Sequence, residues 1–445
     1  MRQYFTKKAG LSDLEAVSII NRNAVPLESK ADLQPLFDGI GNAQIVMLGE
    51  ASHGTHEYYT WRAHISKRLI EEKGFRFIAV EGDWPDCYRV NRFIKNYNIE
   101  DKGSFQVLHA FDRWPTWMWA NWEMVAFSDW LQTNNRGLSS EKKVGFYGLD
   151  VYSLWESMES IMQYLKKVDT GALKVAEKAF RCFEPYRKEE GTSYARASQF
   201  VPELCENAVV DLLKEIQQKL PIYNSDHENV FSTEQNALIA VNAEKYYRAM
   251  IKGGPHSWNI RDRHMADTLN RLISFHGENT KVIVWAHNTH VGDARATDMI
   301  NEGMFNIGEL ARMQHKDKGV VLVGFGSYKG TVIAGRSWGA PMHSIGVPAA
   351  TKGSWEYLLH KAGKENKLLM MEDLASDDLF MENHIGHRAI GVVYNPQYEQ
   401  YGNYVPTVLP LRYDAFIYLD ETRALYPLHI QPGGEALPDT YPFGV

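Results

Sequence analysis

Short apolar runs that end on an ionisable residue recur along the chain. Ile45-Val46-Met47-Leu48 runs into Gly49-Glu50-Ala51-Ser52-His53-Gly54, and Phe75 to Val80 stops at Glu81. Val144 to Leu149 stops at Asp150, and Lys281 to Ala286 stops at His287-Asn288-Thr289-His290. Runs this short suit buried strands and are too short for globular helices. Between the first two, Thr55 to Lys73 reads as a helix ended by Gly74, with a stripe of Tyr58, Ile65 and Leu69 that also carries Arg62. Strand, helix, strand at this spacing is a βαβ unit, so its strands are expected to be parallel, with Glu50 and Glu81 leaving the same edge. Chemistry in open parallel sheets collects beyond the carboxyl ends of the strands. A chance pattern would scatter ionisable residues over both ends.

The rest of the pattern fills in around this. Ser12-Asp13-Leu14-Glu15 is a capping box that opens a helix through about Asn21. From about 153 to 275 no strand is evident, and Glu156–Leu165, Asn207–Leu213 and Glu234–Lys252 have helical periodicity, with Asn259 expected to cap a further helix through Phe275. Gly319–Gly326 and Thr331–Ala334 around Tyr328-Lys329-Gly330 predict a hairpin, and Ile390–Tyr394 and Phe416–Leu419 are expected to complete the sheet. The Pro- and Gly-rich tail from Tyr426 is expected on the surface. The expected fold is α/β, a mostly parallel sheet flanked by helices. Residues 1–152 and 276–445 form the two parts of a catalytic domain, and 153–275 form a helical insertion, a lid or wall.

Composition narrows the function. The chain has 445 residues, of which 44% are hydrophobic, and a net charge of -7. That content rules out wholesale disorder, and the acidic balance argues against a nucleic-acid partner. Met1 to Lys8 lacks the apolar core of a signal peptide, and no run is long enough to span a bilayer. Three cysteines, Cys87, Cys182 and Cys205, with no close pairing, are expected to be reduced thiols. These features predict a soluble, cytoplasmic protein.

Glu50, His53, Glu81, His287 and His290, with Arg62 beside them, are the candidate catalytic set. Histidine titrates near neutral pH and can take a proton from water, a neighbouring carboxylate fixes its tautomer, and a guanidinium or second imidazole can meet a developing oxyanion. A lone histidine in a strand-end loop is more often a satisfied polar residue, and an arginine on a buried stripe can simply snorkel. The joint placement is what favours catalysis. A metal-dependent hydrolase using the same residues is the alternative. However, Glu50-x-x-His53 occurs once, in a loop, where the di-iron motif comes in pairs on helices. His287 and His290 fall short of the i, i+4 zincin spacing. Gly335-Arg336-Ser337-Trp338-Gly339 matches a nucleophile elbow literally but leads into Ala340-Pro341, not a helix. Gly324-x-Gly326-x-x-x-Gly330 misses the dinucleotide fingerprint. Trp114, Trp117, Trp119 and Trp122 fall within nine positions. They read first as packing, with a pocket wall stacking on a sugar or macrocycle as the second reading.

These blocks resemble the erythromycin esterases: Leu48-Gly49-Glu50-x-x-His53, Arg62, Glu81, Gly148-Leu149-Asp150, Arg261-Asp262-x-x-Met265-Ala266-Asp267 and Ala286-His287-Asn288-x-His290. The resemblance implies a parallel-sheet α/β domain with an added helical part, and hydrolysis of a macrolide lactone ester by histidine-activated water. Carried over, His53 is the general base, and Glu50, Arg62, Glu81, His287 and His290 line the site. Arg261, Trp114 and Trp117 are expected on the substrate side. Relatives are also labelled succinoglycan biosynthesis proteins, so the family leaves the substrate open. The expected partner is a small-molecule ester or lactone, with no nucleic acid and no membrane. No cofactor is expected to be required, and a divalent metal stays open. A carbohydrate- or metabolite-binding homologue without turnover is the remaining alternative.

Overall fold

The computed structural model describes residues 12–97, 103–189, 192–200, 204–223, 226–376 and 378–429. Met1 to Lys8, and the tail from residue 430 onward, lie outside the described residues. In chain order the strands are β1 (Ala24–Pro26), β2 (Ile45–Leu48), β3 (Phe77–Val80), β4 (Gly145–Gly148), β5 (Val282–Trp285) and β6 (Val320–Gly335). They continue as β7 (Met342–Val347), β8 (Lys367–Met370), β9 (Ile385–Arg388), β10 (Tyr404–Thr407) and β11 (Ala415–Thr422). One sheet runs β1-β8-β11-β6-β2-β5-β3-β4, with β7 paired to β6, and β9 and β10 form a separate antiparallel pair. All pairings from β11 through β4 are parallel, which makes the fold α/β.

The central strands are buried at every residue, as a sheet covered on both faces requires. Alternate side chains feed two cores. Val46, Leu48, Ile78 and Val80 point to one, and Ile45, Met47, Phe77 and Ala79 to the other. Helix His56–Lys73 covers the first face through Tyr58, Ile65 and Leu69, and ends at Gly74 in the left-handed region, φ 71°. Helix His256–His276 covers the second through Met265, Leu269, Leu272 and Ile273. It also meets the preceding helix His227–Met250, through Gln235 to Thr268 and Arg271 to Glu234. Asn259 lies inside this helix and does not cap it. Its side chain bonds instead to the backbone of Gly303 and Phe305. Helices Leu154–Val168, Thr170–Phe183, Glu206–Lys219 and His227–Met250 share a core of their own.

Three further expectations are corrected. The hairpin is one continuous strand, β6, because Tyr328-Lys329-Gly330 stays extended and pairs with β11. Ile390–Tyr394 is no strand and touches Ser52 and Gly335 through isolated bridges. Cys182 and Cys205 are not reduced thiols but form a disulfide, with Cα atoms 5.8 Å apart, and Cys87 is the free cysteine. The end of helix Thr170–Phe183 and the start of helix Glu206–Lys219 meet across 23 residues, a proximity the linear spacing hid. The cysteines thus no longer argue for a reducing compartment. No described helix is long and apolar enough to cross a membrane.

Candidate active site

Register brings the strand ends together. Leu48 is level with Trp285, Trp285 with Val80, and Val80 with Gly148. The residues that follow, Glu50 and His53, His287, Glu81 and Asp150, therefore leave the sheet along one edge. The Glu50–His53 turn is set by close backbone packing. A Cβ on Gly49 would stand 2.1 Å from Asn288 Oδ1, and one on Gly54 would stand 2.0 Å from the Ile333 carbonyl oxygen. Neither site has room for a side chain.

His53 Nδ1 donates to Glu50 Oε1 at 2.9 Å, since a carboxylate can only accept. That leaves Nε2 as the basic nitrogen. Glu81 Oε1 lies 4.0 Å from it. Burial works against a charged imidazole, but the nearby carboxylates of Glu81 and Glu50 outweigh it, and the His53 pKa is raised. Glu81 is buried, which alone would raise its pKa. The neighbouring side chains of His290, Arg261 and His53 and the His287 N–H, which donates to Oε2 at 2.8 Å, hold it well below the usual carboxylate range.

Arg261 is the cationic centre. Its Nη2 donates to Glu81 Oε1 at 2.6 Å and to Asp150 Oδ2 at 2.7 Å, its Nε to Asp150 Oδ1 at 3.0 Å, and its Nη1 to His290 Nε2 at 3.0 Å. Tyr152 lies against the guanidinium, 4.8 Å from its carbon to the ring centroid. Burial disfavours the charge, yet the Asp150, Tyr152 and Glu81 oxygens raise the Arg261 pKa well above its ordinary value. His290 Nδ1 meets Asp262 at 2.9 Å. The His287 ring sits 4.9 Å from that of His53, and its Nδ1 is paired with the Thr289 hydroxyl at 2.8 Å. Burial, then the neighbouring charge of His53, holds the His287 pKa well below normal, so its ring stays neutral.

A cavity lies against this edge, lined by His53, Glu81, Asp150 and Arg261. Phe111, Trp114, Trp119, Tyr152 and Trp338 form its aromatic wall. Trp114 and Trp338 pack ring to ring at 4.8 Å, and Trp117 stands edge-on behind Trp114 at 5.4 Å, outside the lining. Arg62 is also set back, 1% exposed, donating to Glu50 Oε2 at 2.5 Å between the rings of Tyr59 and Trp285. His287 and His290 are buried behind the lining. Ser337 is exposed and no helix follows it.

The lining adds residues that sequence reasoning did not select: Asp83, Asp86, Arg113, Tyr152 and Trp338. Asp83 follows directly on β3 and Glu81, so the strand-end rule applied two residues further would have reached it, whereas Asp86 lies in the first turn of the next helix, Trp84–Ile94. Burial pushes the Asp83 carboxyl up to about 6 despite its pairing with Arg113, and burial together with the Asp83 charge pushes Asp86 up to about 8. No signal in the sequence marked Trp338, which arrives from the far end of β6.

The donor set does not suit a metal ion. Among the described residues no three His, Cys, Asp or Glu side chains converge in a metal-binding arrangement. Both Glu81 oxygens already accept N–H groups, Oε1 from Arg261 and Oε2 from His287.

The family model described as Erythromycin esterase matches residues 70–422. Erythromycin esterase type II of Escherichia coli is 22% identical over 377 residues, 79% of this chain and 86% of that protein. A succinoglycan biosynthesis protein of known structure aligns with TM-score 0.74 at 20% identity, covering 94% of this chain and all of that one. An erythromycin esterase variant in an open conformation aligns with TM-score 0.64 at 14% identity, over 88% and 94% of the two chains. At these identities the two structures speak to the fold alone.

Proposed function

The chain belongs to the erythromycin esterase family, and from that premise we propose that it is a carboxylic-ester hydrolase in which His53 activates water without a covalent intermediate. The observation that carries the reading is the commitment of His53 Nδ1 to Glu50, which leaves Nε2 as the base on the cavity wall, 4.0 Å from Glu81. A single water with hydrogen bonds of ~2.8 Å can span that gap. It would give one proton to Nε2 and direct the other at Glu81. The oxygen then adds to the ester carbonyl, and the negative charge that forms on the carbonyl oxygen is met by Arg261. Collapse of the tetrahedral species expels the alcohol, which takes the proton from His53. General-base catalysis contributes roughly 10²–10⁴ in rate, so the guanidinium must supply a large part of the remainder.

In this scheme Arg62, set back from the cavity, orients Glu50, and Arg261 takes the oxyanion role that the sequence pattern offered to Arg62 or a histidine. The aromatic wall favours an ester or lactone on a bulky apolar scaffold, and a macrolide lactone is one such substrate. The test is a panel of activated esters and lactones run on wild type and His53→Asn side by side. Turnover should fall at least a hundredfold in the variant. Equal turnover would end the proposal.

A further inference from the structure

His290 has no direct access to the cavity, for it is 0% exposed and Arg261 stands between. Its surroundings nevertheless define it closely. Nδ1 lies 2.9 and 3.0 Å from the two oxygens of Asp262. The ring lies flat on Trp258, 4.5 Å between centroids and 6° from parallel. Nε2 lies 3.0 Å from Arg261 Nη1. A carboxylate only accepts and a guanidinium only donates, so the neutral ring satisfies both neighbours in one form alone, with its proton on Nδ1. Glu81 Oε1, 3.4 Å from Nε2, pulls towards the other form. Asp262 is the counterweight.

We propose that Asp262 is a positioning residue for the hydrolysis put forward above. It locks His290 in the Nδ1–H tautomer, so that Nε2 grips one N–H of Arg261 and turns the last one to the cavity. The donor count supports this. A guanidinium carries five N–H groups. Nε and both hydrogens of Nη2 serve Asp150 and Glu81, and one hydrogen of Nη1 serves His290. What remains is a single N–H on Nη1, in a residue that lines the cavity. Asp262 is itself fixed, since Oδ1 also accepts the Ile307 N–H at 2.9 Å. Arg261 and Asp262 are neighbours on helix His256–His276, about 100° apart around its axis, so one can face the cavity while the other backs onto His290. With the wrong tautomer, Nε2–H would confront a guanidinium N–H, and Arg261 would have to move.

The experiment is nitrogen-15 NMR on histidine-labelled protein, with His290 assigned by the signals lost in His290→Gln, alongside kinetics on an activated ester. In wild type at pH 8 the His290 proton is expected on Nδ1. Asp262→Asn, whose amide can donate to Nδ1, should move it to Nε2. The variant should lower kcat about tenfold to a hundredfold, less than the ~10²–10³ of deleting an oxyanion donor, with little change in KM. The pH at which His53 gates activity should stay in place. A wild-type proton on Nε2 overturns the proposal, and so does a tautomer switch that leaves kcat unchanged. If Asp262→Asn does not fold, the wild-type spectrum still decides. The tautomer readout needs no substrate, so an absence of esterase turnover, which would sink the hydrolase reading, cannot be mistaken for failure of the lock.

Discussion

Replacing Arg62 with methionine tests whether this buried arginine serves Glu50 or the reacting ester. The guanidinium is 1% exposed, bonded to Glu50 Oε2 at 2.5 Å, and lies 4.5 and 4.8 Å from the Tyr59 and Trp285 rings. Methionine keeps most of the volume but strands the Glu50 charge in the interior. Breaking one side of such a pair costs about 3–5 kcal/mol, a fifth or more of a typical folding free energy of about 5–15 kcal/mol. Glu50→Gln strands the opposite charge at a similar cost. Simple addition would put the double variant near unfolding. Removing both charges, however, leaves none uncompensated, so Glu50→Gln/Arg62→Met should recover about 2–3 kcal/mol of that sum. Urea unfolding with linear extrapolation at an unchanged slope measures the cycle. Activity gives a second check. If Arg62 acts only through Glu50, the double variant has the kcat of Glu50→Gln. If Arg62 touched the oxyanion, a further ~10²–10³ would be lost. Additive stabilities, or that further loss, would refute the positioning role.

Because the carboxylates raise the His53 pKa, the neutral base appears only at higher pH, and the rising limb of kcat/KM should lie above the ordinary histidine value of about 6.5. Glu81→Gln removes the largest raising influence, so besides slowing the reaction it should move that limb towards acid, and a limb that stays in place contradicts the assignment. The same shift has a stability sign: protonated His53 favours the folded state below about 6.5, and this contribution is lost as pH rises through its higher folded value, which denaturation at several pH values can follow. The Cys182–Cys205 disulfide closes a loop worth about 3 kcal/mol, and under denaturing, non-reducing conditions a thiol reagent should find one thiol, Cys87, against three after reduction. Three thiols without reductant would exclude the bond. Ser337→Ala should leave turnover unchanged, and a large loss would revive a serine nucleophile.

Much of the fold was legible because it is local. The residues that became β2 to β5 include no charged side chain, as a strand covered on both faces requires. Gly74 stops its helix by a backbone conformation that glycine supplies at low cost. The errors fell where a local signal met a distant partner. Tyr328-Lys329-Gly330 has turn chemistry, yet β11 alongside keeps it extended. The cysteine spacing carried no trace of the fold that sets Cys182 against Cys205.

The sequence by itself determined that four short apolar runs become strands, that the first two of them run parallel, and that acidic and basic residues stand at their carboxyl ends. Periodicity and strand–helix–strand spacing encode these properties residue by residue. Tertiary structure alone decided who touches whom at that edge. Arg261 on a helix and Asp150 after β4 lie 111 positions apart, and they meet because register levels the strand ends while the helix packs across the opposite core. Hydrogen-bond direction, burial and the choice between Arg62 and Arg261 depend on distances of 2.5–4.0 Å, and no linear pattern of residue types specifies such distances.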